Sequence, residues 1–169
     1  MSRTIARRGI AAITLLAALA LPATALAASV TGTAGNDMLS GTSGPDTISG
    51  LGGNDTITGR GGADWLYGNG GADVVYGNAG ADHIYGGPGP DVLRGGDGAD
   101  VISGGSGRDR IRGGAGVDTI YGNTGDDVIV VGYDRAADLV RCGDGIDKVY
   151  AGASDRIGAS CEQVVRVDD

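Results

Sequence analysis

The sequence predicts an all-β protein: a solenoid of short parallel strands in which two nine-residue units make one coil. Three observations carry this. Aspartates stand at Asp37, Asp46, Asp55, Asp64, Asp73, Asp82, Asp91, Asp100, Asp109, Asp118 and Asp127, every step nine residues. With Asp as position six, Gly occupies positions one and four of all eleven units, from Gly32 and Gly35 to Gly122 and Gly125. Position eight is aliphatic throughout: Leu39, Ile48, Ile57, Leu66, Val75, Ile84, Leu93, Ile102, Ile111, Ile120 and Ile129. A fixed short period marks a stacked-repeat architecture. The chain holds 35 Gly in 169 residues, a content typical of low-complexity segments, but random Gly-rich sequence does not hold three further columns in register.

In chain order, residues 1–27 read as a secretory signal peptide. Arg3, Arg7 and Arg8 precede an apolar run that ends in small residues, and Ala25-Leu26-Ala27 supplies an A-x-A cleavage site. Ala23-Thr24-Ala25 is a second option. The alternative is an uncleaved membrane anchor, for which the run is short. The Arg7-Arg8 pair leaves Sec and twin-arginine export both open. Three Arg and no acid leave with this segment, taking the formal net charge from −8 to −11. Such a balance argues against nucleic acid, whose backbone demands basic patches, and favours a cation as partner; no membrane association is expected once the signal is removed. The expected location is extracellular.

Residues 28–130 form the repeat domain. Positions seven to nine, such as Val74-Val75-Tyr76, are β-branched or aromatic and read as a three-residue strand with position eight inward. Positions one to six read as a turn. Position two is Gly or Asn from Asn69 to Asn123, residues that tolerate positive φ. The early units carry Thr33, Thr42, Leu51 and Arg60 there, and their turns are expected to be less regular. Residues eighteen apart stack at about 4.8 Å, the strand spacing, so eleven units give five and a half coils, about 26 Å long.

This stacking sorts the aspartates into two ladders. Asp37, Asp55, Asp73, Asp91, Asp109 and Asp127 share one edge; Asp46, Asp64, Asp82, Asp100 and Asp118 share the other. Carboxylates at that spacing repel by about 1 kcal/mol per pair even in water. Nine adjacent pairs could offset the stability of a small domain, so the ladders call for cations. Carboxylate and carbonyl oxygens in flexible coordination suit Ca²⁺ better than Mg²⁺, and soft metals would want His or Cys. The competing reading is a solvated acidic face, or Asp used only for turn hydrogen bonds.

Gly-Gly-Ser-Gly-Arg-Asp-Arg-Ile-Arg (104–112) and Gly-Gly-Ala-Gly-Val-Asp-Thr-Ile-Tyr (113–121) match the pattern G-G-x-G-x-D-x-U-x. Over residues 32–130 the chain resembles the RTX, or hemolysin-type, calcium-binding nonapeptide repeat family. The resemblance implies a right-handed parallel β-roll with Ca²⁺ between successive turns. Its ligands would be the eleven position-six aspartates and backbone carbonyls of the turns. Asp37 and Asp46 sit in the weaker Gly-Thr-Ala-Gly and Gly-Thr-Ser-Gly turns. Nine sites is the upper limit. Family members often carry catalytic domains and a C-terminal secretion signal; this chain departs from that pattern with its N-terminal signal.

Residues 131–169 are expected to form degenerate coils and a C-terminal cap. Asp138-Leu139-Val140, Asp147-Lys148-Val149 and Asp155-Arg156-Ile157 keep the Asp-x-aliphatic core, but the steps become eleven, nine and eight. A structural role is preferred to a metal role for these three. In an exported chain the pair Cys142 and Cys161 reads as a disulfide, closing a loop worth about 3 kcal/mol in the chain-entropy model; two free buried thiols are the alternative.

No catalytic constellation is present in the sequence, and a non-enzymatic module is expected. His83, the lone His, should stack outward next to Trp65. Trp65, Tyr67 and Tyr85 form a candidate ligand face. They keep open a second functional reading: a surface adhesin or carbohydrate-binding module with a cell-surface glycan or protein as partner.

Overall fold

The computed structural model describes residues 26–131 and 134–167. The predicted signal peptide lies outside them except for Leu26 and Ala27. The described chain is all β. Its strands are β1 (Ser29–Thr31), β2 (Met38–Ser40), β3 (Thr47–Gly52), β4 (Thr56–Gly61), β5 (Trp65–Gly70), β6 (Val74–Ala79), β7 (His83–Pro88) and β8 (Val92–Asp97). They continue with β9 (Val101–Ser106), β10 (Arg110–Ala115), β11 (Thr119–Thr124), β12 (Val128–Val130), β13 (Leu139–Asp144), β14 (Lys148–Ala151), β15 (Arg156–Ile157) and β16 (Gln163–Arg166). Among the described residues no helix is long and apolar enough to cross a membrane.

Odd-numbered strands make one eight-stranded parallel sheet and even-numbered strands the other. Each coil gives one strand to each sheet, so the solenoid is consistent with a right-handed β-roll of about eight turns. Partners in the regular part are eighteen residues apart, as in Trp65↔His83 and Leu66↔Ile84. The two-units-per-coil reading therefore holds. The expected five and a half coils fall short of the eight observed. Ser29–Thr31 pairs with β3 ahead of the first unit, and the degenerate segments after Asp127 continue both sheets.

The core is a double ladder of aliphatic side chains. Val30, Ile48, Leu66, Ile84, Ile102, Ile120 and Val140 face Leu39, Ile57, Val75, Leu93, Ile111, Ile129 and Val149, all buried. Each unit adds one inward residue, so stability comes from stacking neighbours rather than from any single coil.

The regular strands hold six residues, not the three expected. The Gly-rich composition of positions one to three predicts a turn, yet positions two and three pair with the neighbouring coil, as in Leu51↔Asn69 and Gly52↔Gly70. Position one breaks the pairing, and position two takes positive φ, which bends the strand without ending the ladder. The early turns split. Leu51 (φ 78) and Arg60 (φ 86) adopt the same positive φ as Asn69, so those turns are regular in spite of their side chains. Thr33 and Thr42 do not share it, and β2 stays at three residues.

At the far end, Cys142 and Cys161 are disulfide-bonded with Cα atoms 5.2 Å apart. Cys142 is fully buried. The bond ties β13 to the segment before β16, the exposed last strand.

Candidate metal centre

The eleven aspartates do form two ladders, and the ladders are buried. Each of these carboxyl groups is at most 6 % exposed although it lies at a turn of a thin coil. The acidic columns are therefore not a solvated face.

Each rung uses one carboxylate oxygen for the backbone. The N–H of Asp73 donates to Asp91 Oδ1 at 2.8 Å, and that of Asp82 to Asp100 Oδ1 at 2.8 Å. The same bond joins every pair eighteen apart from Asp37–Asp55 to Asp109–Asp127. The Asp carbonyl accepts from the next coil as well, as in Val92 N–H to Asp73. Position-six Asp is thus a stitch between coils.

The second oxygen is left over. Oδ2 of Asp55, Asp64, Asp73, Asp82, Asp91, Asp100, Asp109, Asp118 and Asp127 is buried without a hydrogen-bond partner. Such an orphaned oxygen is costly unless something else satisfies it. Its surroundings explain the Gly at position one. A Cβ placed on Gly68 would stand 2.5 Å from Asp73 Oδ2 and 2.7 Å from the Gly86 carbonyl oxygen. A carboxylate oxygen and a carbonyl oxygen from the next coil therefore converge on one point, and only Gly leaves room for them.

Three rungs differ. Asp37 Oδ2 accepts from the Thr33 N–H at 2.5 Å and the Thr33 hydroxyl at 2.9 Å. Asp46 Oδ2 accepts from the Thr42 N–H at 2.5 Å, and Asp155 Oδ2 from the Gly152 N–H at 2.7 Å. At Asp37 and Asp46 position two sets the state. Positive φ occurs at Leu51, Arg60, Asn69, Asn78, Gly87, Gly96, Gly105, Gly114, Asn123 and Gly143, and none of their N–H groups reaches the carboxylate of its own unit. Where position two is Thr with ordinary φ, its N–H closes onto Oδ2.

Two further aspartates belong to the orphaned set. Asp138 and Asp147 are fully buried, and their Oδ2 atoms lack partners. The Asp118 N–H donates to Asp138 Oδ1 at 2.8 Å and the Asp127 N–H to Asp147 Oδ1 at 2.9 Å, across twenty residues instead of eighteen. The Asp-x-aliphatic core marks both residues in the sequence, but the eleven-residue step obscures that they continue the two ladders.

Burial moves these groups toward the neutral form. It pushes the carboxyls of Asp91 and Asp118 up to about 7, and those of Asp64, Asp82, Asp100, Asp127 and Asp138 up to about 6. Asp55, Asp73, Asp109 and Asp147 are raised for the same reason. The rung hydrogen bond pulls the other way, and for many rungs a neighbouring carboxylate adds to the rise. A cation beside Oδ2 would reverse the balance, since opposite charge favours the ionised form. Buried hard oxygens that lack donors fit Ca²⁺.

Trp65, Tyr67, His83 and Tyr85 gather on the outer face of the odd-numbered sheet. Trp65 stacks on His83 with centroids 4.1 Å apart, and Tyr67 on Tyr85 at 5.1 Å. Trp65 also lies 6.4 Å from Tyr67 and 6.2 Å from Tyr85, all near-parallel. The structure thus brings Trp65, Tyr67 and Tyr85 together and adds His83. Trp65 remains exposed at the edge of this cluster.

Fold and site together define a parallel β-solenoid whose coils are stitched by buried carboxylates. A family model for the RTX calcium-binding nonapeptide repeat matches residues 31–66, 58–93 and 94–129. The matches cover more than half of the chain, and the protein belongs to that family, whose repeats bind calcium ions. No curated protein matches the chain.

Proposed function

We propose that the protein is an exported structural or interaction module whose coils complete their folding when calcium is bound. The observation that carries this is the row of buried, partnerless Oδ2 atoms. The residues that would hold the metal are Asp55, Asp64, Asp73, Asp82, Asp91, Asp100, Asp109, Asp118 and Asp127, with Asp138 and Asp147 added, helped by position-one carbonyls. Asp37 and Asp46 are proposed as structural, because Thr33 and Thr42 already satisfy them. Bound there, calcium supplies the positive charge that lets the carboxylates ionise in place.

The chain's own residues do the rest. Asp Oδ1 fixes the coil spacing, Gly at position one leaves space, and positive φ at position two keeps the N–H away from Oδ2. Without a cation, the ladder must either take up protons or separate, so binding and folding become one event. In a calcium-poor compartment the chain stays open; at the millimolar levels typical of extracellular modules it folds. Export is supported by the N-terminal pattern and by the habit of the family. A non-enzymatic role is supported by the burial of the carboxylates, which closes them to a substrate.

Far-UV circular dichroism of the chain in chelator and then in Ca²⁺ tests this. The expected outcome is a strand signal only with Ca²⁺. An equal signal in both would overturn the coupling.

A further inference from the structure

Among the described residues the aspartate ladders lie at the coil edges, while the outward side chains at positions seven and nine of the even-numbered sheet carry the opposite charge. Outward positions there hold Arg94 on β8, Arg110 and Arg112 on β10, and Lys148 on β14, with Arg60 at a corner of β4; no strand places an acid at position seven or nine of that face. Strand register sets Arg94 directly beside Arg112, about 4.8 Å apart along the backbone. Two like charges so placed repel, and a nearby acid would relieve them. None does so. The one ion pair among the described residues is Arg108–Asp126, in the turns. Asp134, beside these arginines, accepts the N–H groups of Gly116 and Ala136 instead. Arg94 has only the ring of Tyr76, 5.4 Å from its guanidinium carbon to the centroid.

The arginines also border concave surface. A cleft of about 400 Å³ is lined by Tyr76, Arg94 and Arg112 over the backbone of Gly95, Gly96, Gly113 and Gly114, with Asp97 and Asp134 on its wall. A second, adjoining cleft has an apolar floor of Val92, Val128 and Val130 and shares Arg94 and Arg112 with the first, with Arg110 on its rim.

From this face we infer a binding site for an acidic saccharide. The guanidinium forks of Arg94 and Arg112 match a planar carboxylate or a sulfate in a two-pronged contact. A sugar ring has an apolar C–H face, which fits Tyr76 and the valine floor. A glycine floor allows close approach of the chain. The strands flanking the Trp65, Tyr67 and Tyr85 stack place Thr47, Ser49, Val101 and Ser103 beside it and no arginine, so the acidic group of a saccharide finds its fork on the even-numbered sheet. The arginines are few and flanked by acidic edges, which favours a short segment of a saccharide over a nucleic-acid backbone.

The test is calorimetry of the calcium-loaded full chain with a galacturonate tetrasaccharide, a heparin-derived tetrasaccharide and neutral maltotetraose. Binding of either acidic probe without maltotetraose is expected. Arg94→Gln and Arg112→Gln should each weaken binding at least tenfold; Arg112→Lys, which keeps the charge but loses the fork, should fall between. Calcium stoichiometry measured on the same samples separates loss of this site from failure of the calcium ladders, and the Lys variant serves if a Gln variant does not fold. No binding of an acidic probe, equal binding of maltotetraose, variants that bind like the wild type, or tighter binding of duplex DNA or phosphatidylglycerol vesicles would each overturn the inference.

Discussion

The aspartates at three of the four ladder ends, Asp37, Asp46 and Asp155, and the rungs between use the same side chain in two states. From Asp55 to Asp147 one oxygen stitches coils and the other is orphaned. At Asp37, Asp46 and Asp155 the backbone N–H three or four residues earlier closes onto that oxygen. An end rung is a finished turn; a middle rung is an unfinished one, completed by a proton or a cation. The same motif thus supplies both caps and sites, and the difference at the first two rungs lies in φ at position two rather than in the carboxylate.

The largest expected effect follows from pH. Folded-state values of about 6 to 7 lie above the ordinary value of 3.8 for the middle rungs. A raised carboxyl binds more protons in the folded than in the unfolded chain, so its contribution is full below about pH 4 and is lost as pH rises through 6 to 7. In chelator, therefore, the chain gains strand signal on acidification from pH 7.5 to 4.5. With Ca²⁺ the dependence reverses, because protons compete for the same oxygens, and affinity falls from pH 7.5 to 5.5. Circular dichroism and calcium titration over this range check both arms, and a metal-free chain that loses structure in acid would contradict the first.

Single rungs sharpen the comparison. Asp91→Ala removes a middle oxygen pair and leaves the Asp73 N–H without its acceptor. It should destabilise the calcium-loaded chain by about 3 kcal/mol or more, on the scale of breaking a buried charged contact. Asp37→Ala frees only groups of Thr33 at a partly exposed end and should cost about 1 kcal/mol. Paired thermal melts in Ca²⁺ decide. Equal losses would erase the distinction between middle and end.

A smaller effect is expected at glycine. Gly68→Ala places a methyl carbon 2.5 Å from Asp73 Oδ2, an overpacking cost of about 1–3 kcal/mol. Gly35→Ala meets nothing nearer than the Thr33 hydroxyl at 3.8 Å and should be near neutral. Denaturant midpoints of the two variants measure the contrast.

The smallest change would convert an end into a middle. Thr42→Gly permits positive φ at position two and removes the hydroxyl contacts to Asp46. The expected gain is one additional calcium per chain by titration, with stability changed by less than about 1 kcal/mol. No gain would show that φ at position two does not set the state of the rung.

Much of this was legible before the structure. The nine-residue Asp column gave two ladders because each coil repeats the same geometry, and Trp65 above His83 follows from register alone. Three features were not legible. Gly at positions one to three reads as turn by composition, yet a stack of identical coils lets those residues pair. The burial of the carboxylates depends on how closely position one packs, which sequence does not report. The place of Asp138 and Asp147 in the two ladders is obscured by a two-residue insertion that the solenoid absorbs while keeping both rungs intact. Thr33 and Thr42 were recognised as departures, and their physical consequence, a carboxylate satisfied from within, required the hydrogen bonds.

The central claim, that the middle rungs hold calcium and the ends do not, is tested most directly by anomalous scattering from crystals grown in Ca²⁺. The account predicts peaks along both edges beside the rungs from Asp55 to Asp147, with none at Asp37, Asp46 or Asp155. Peaks confined to the ends, or a folded solenoid whose middle rungs carry no ion at neutral pH, would contradict it.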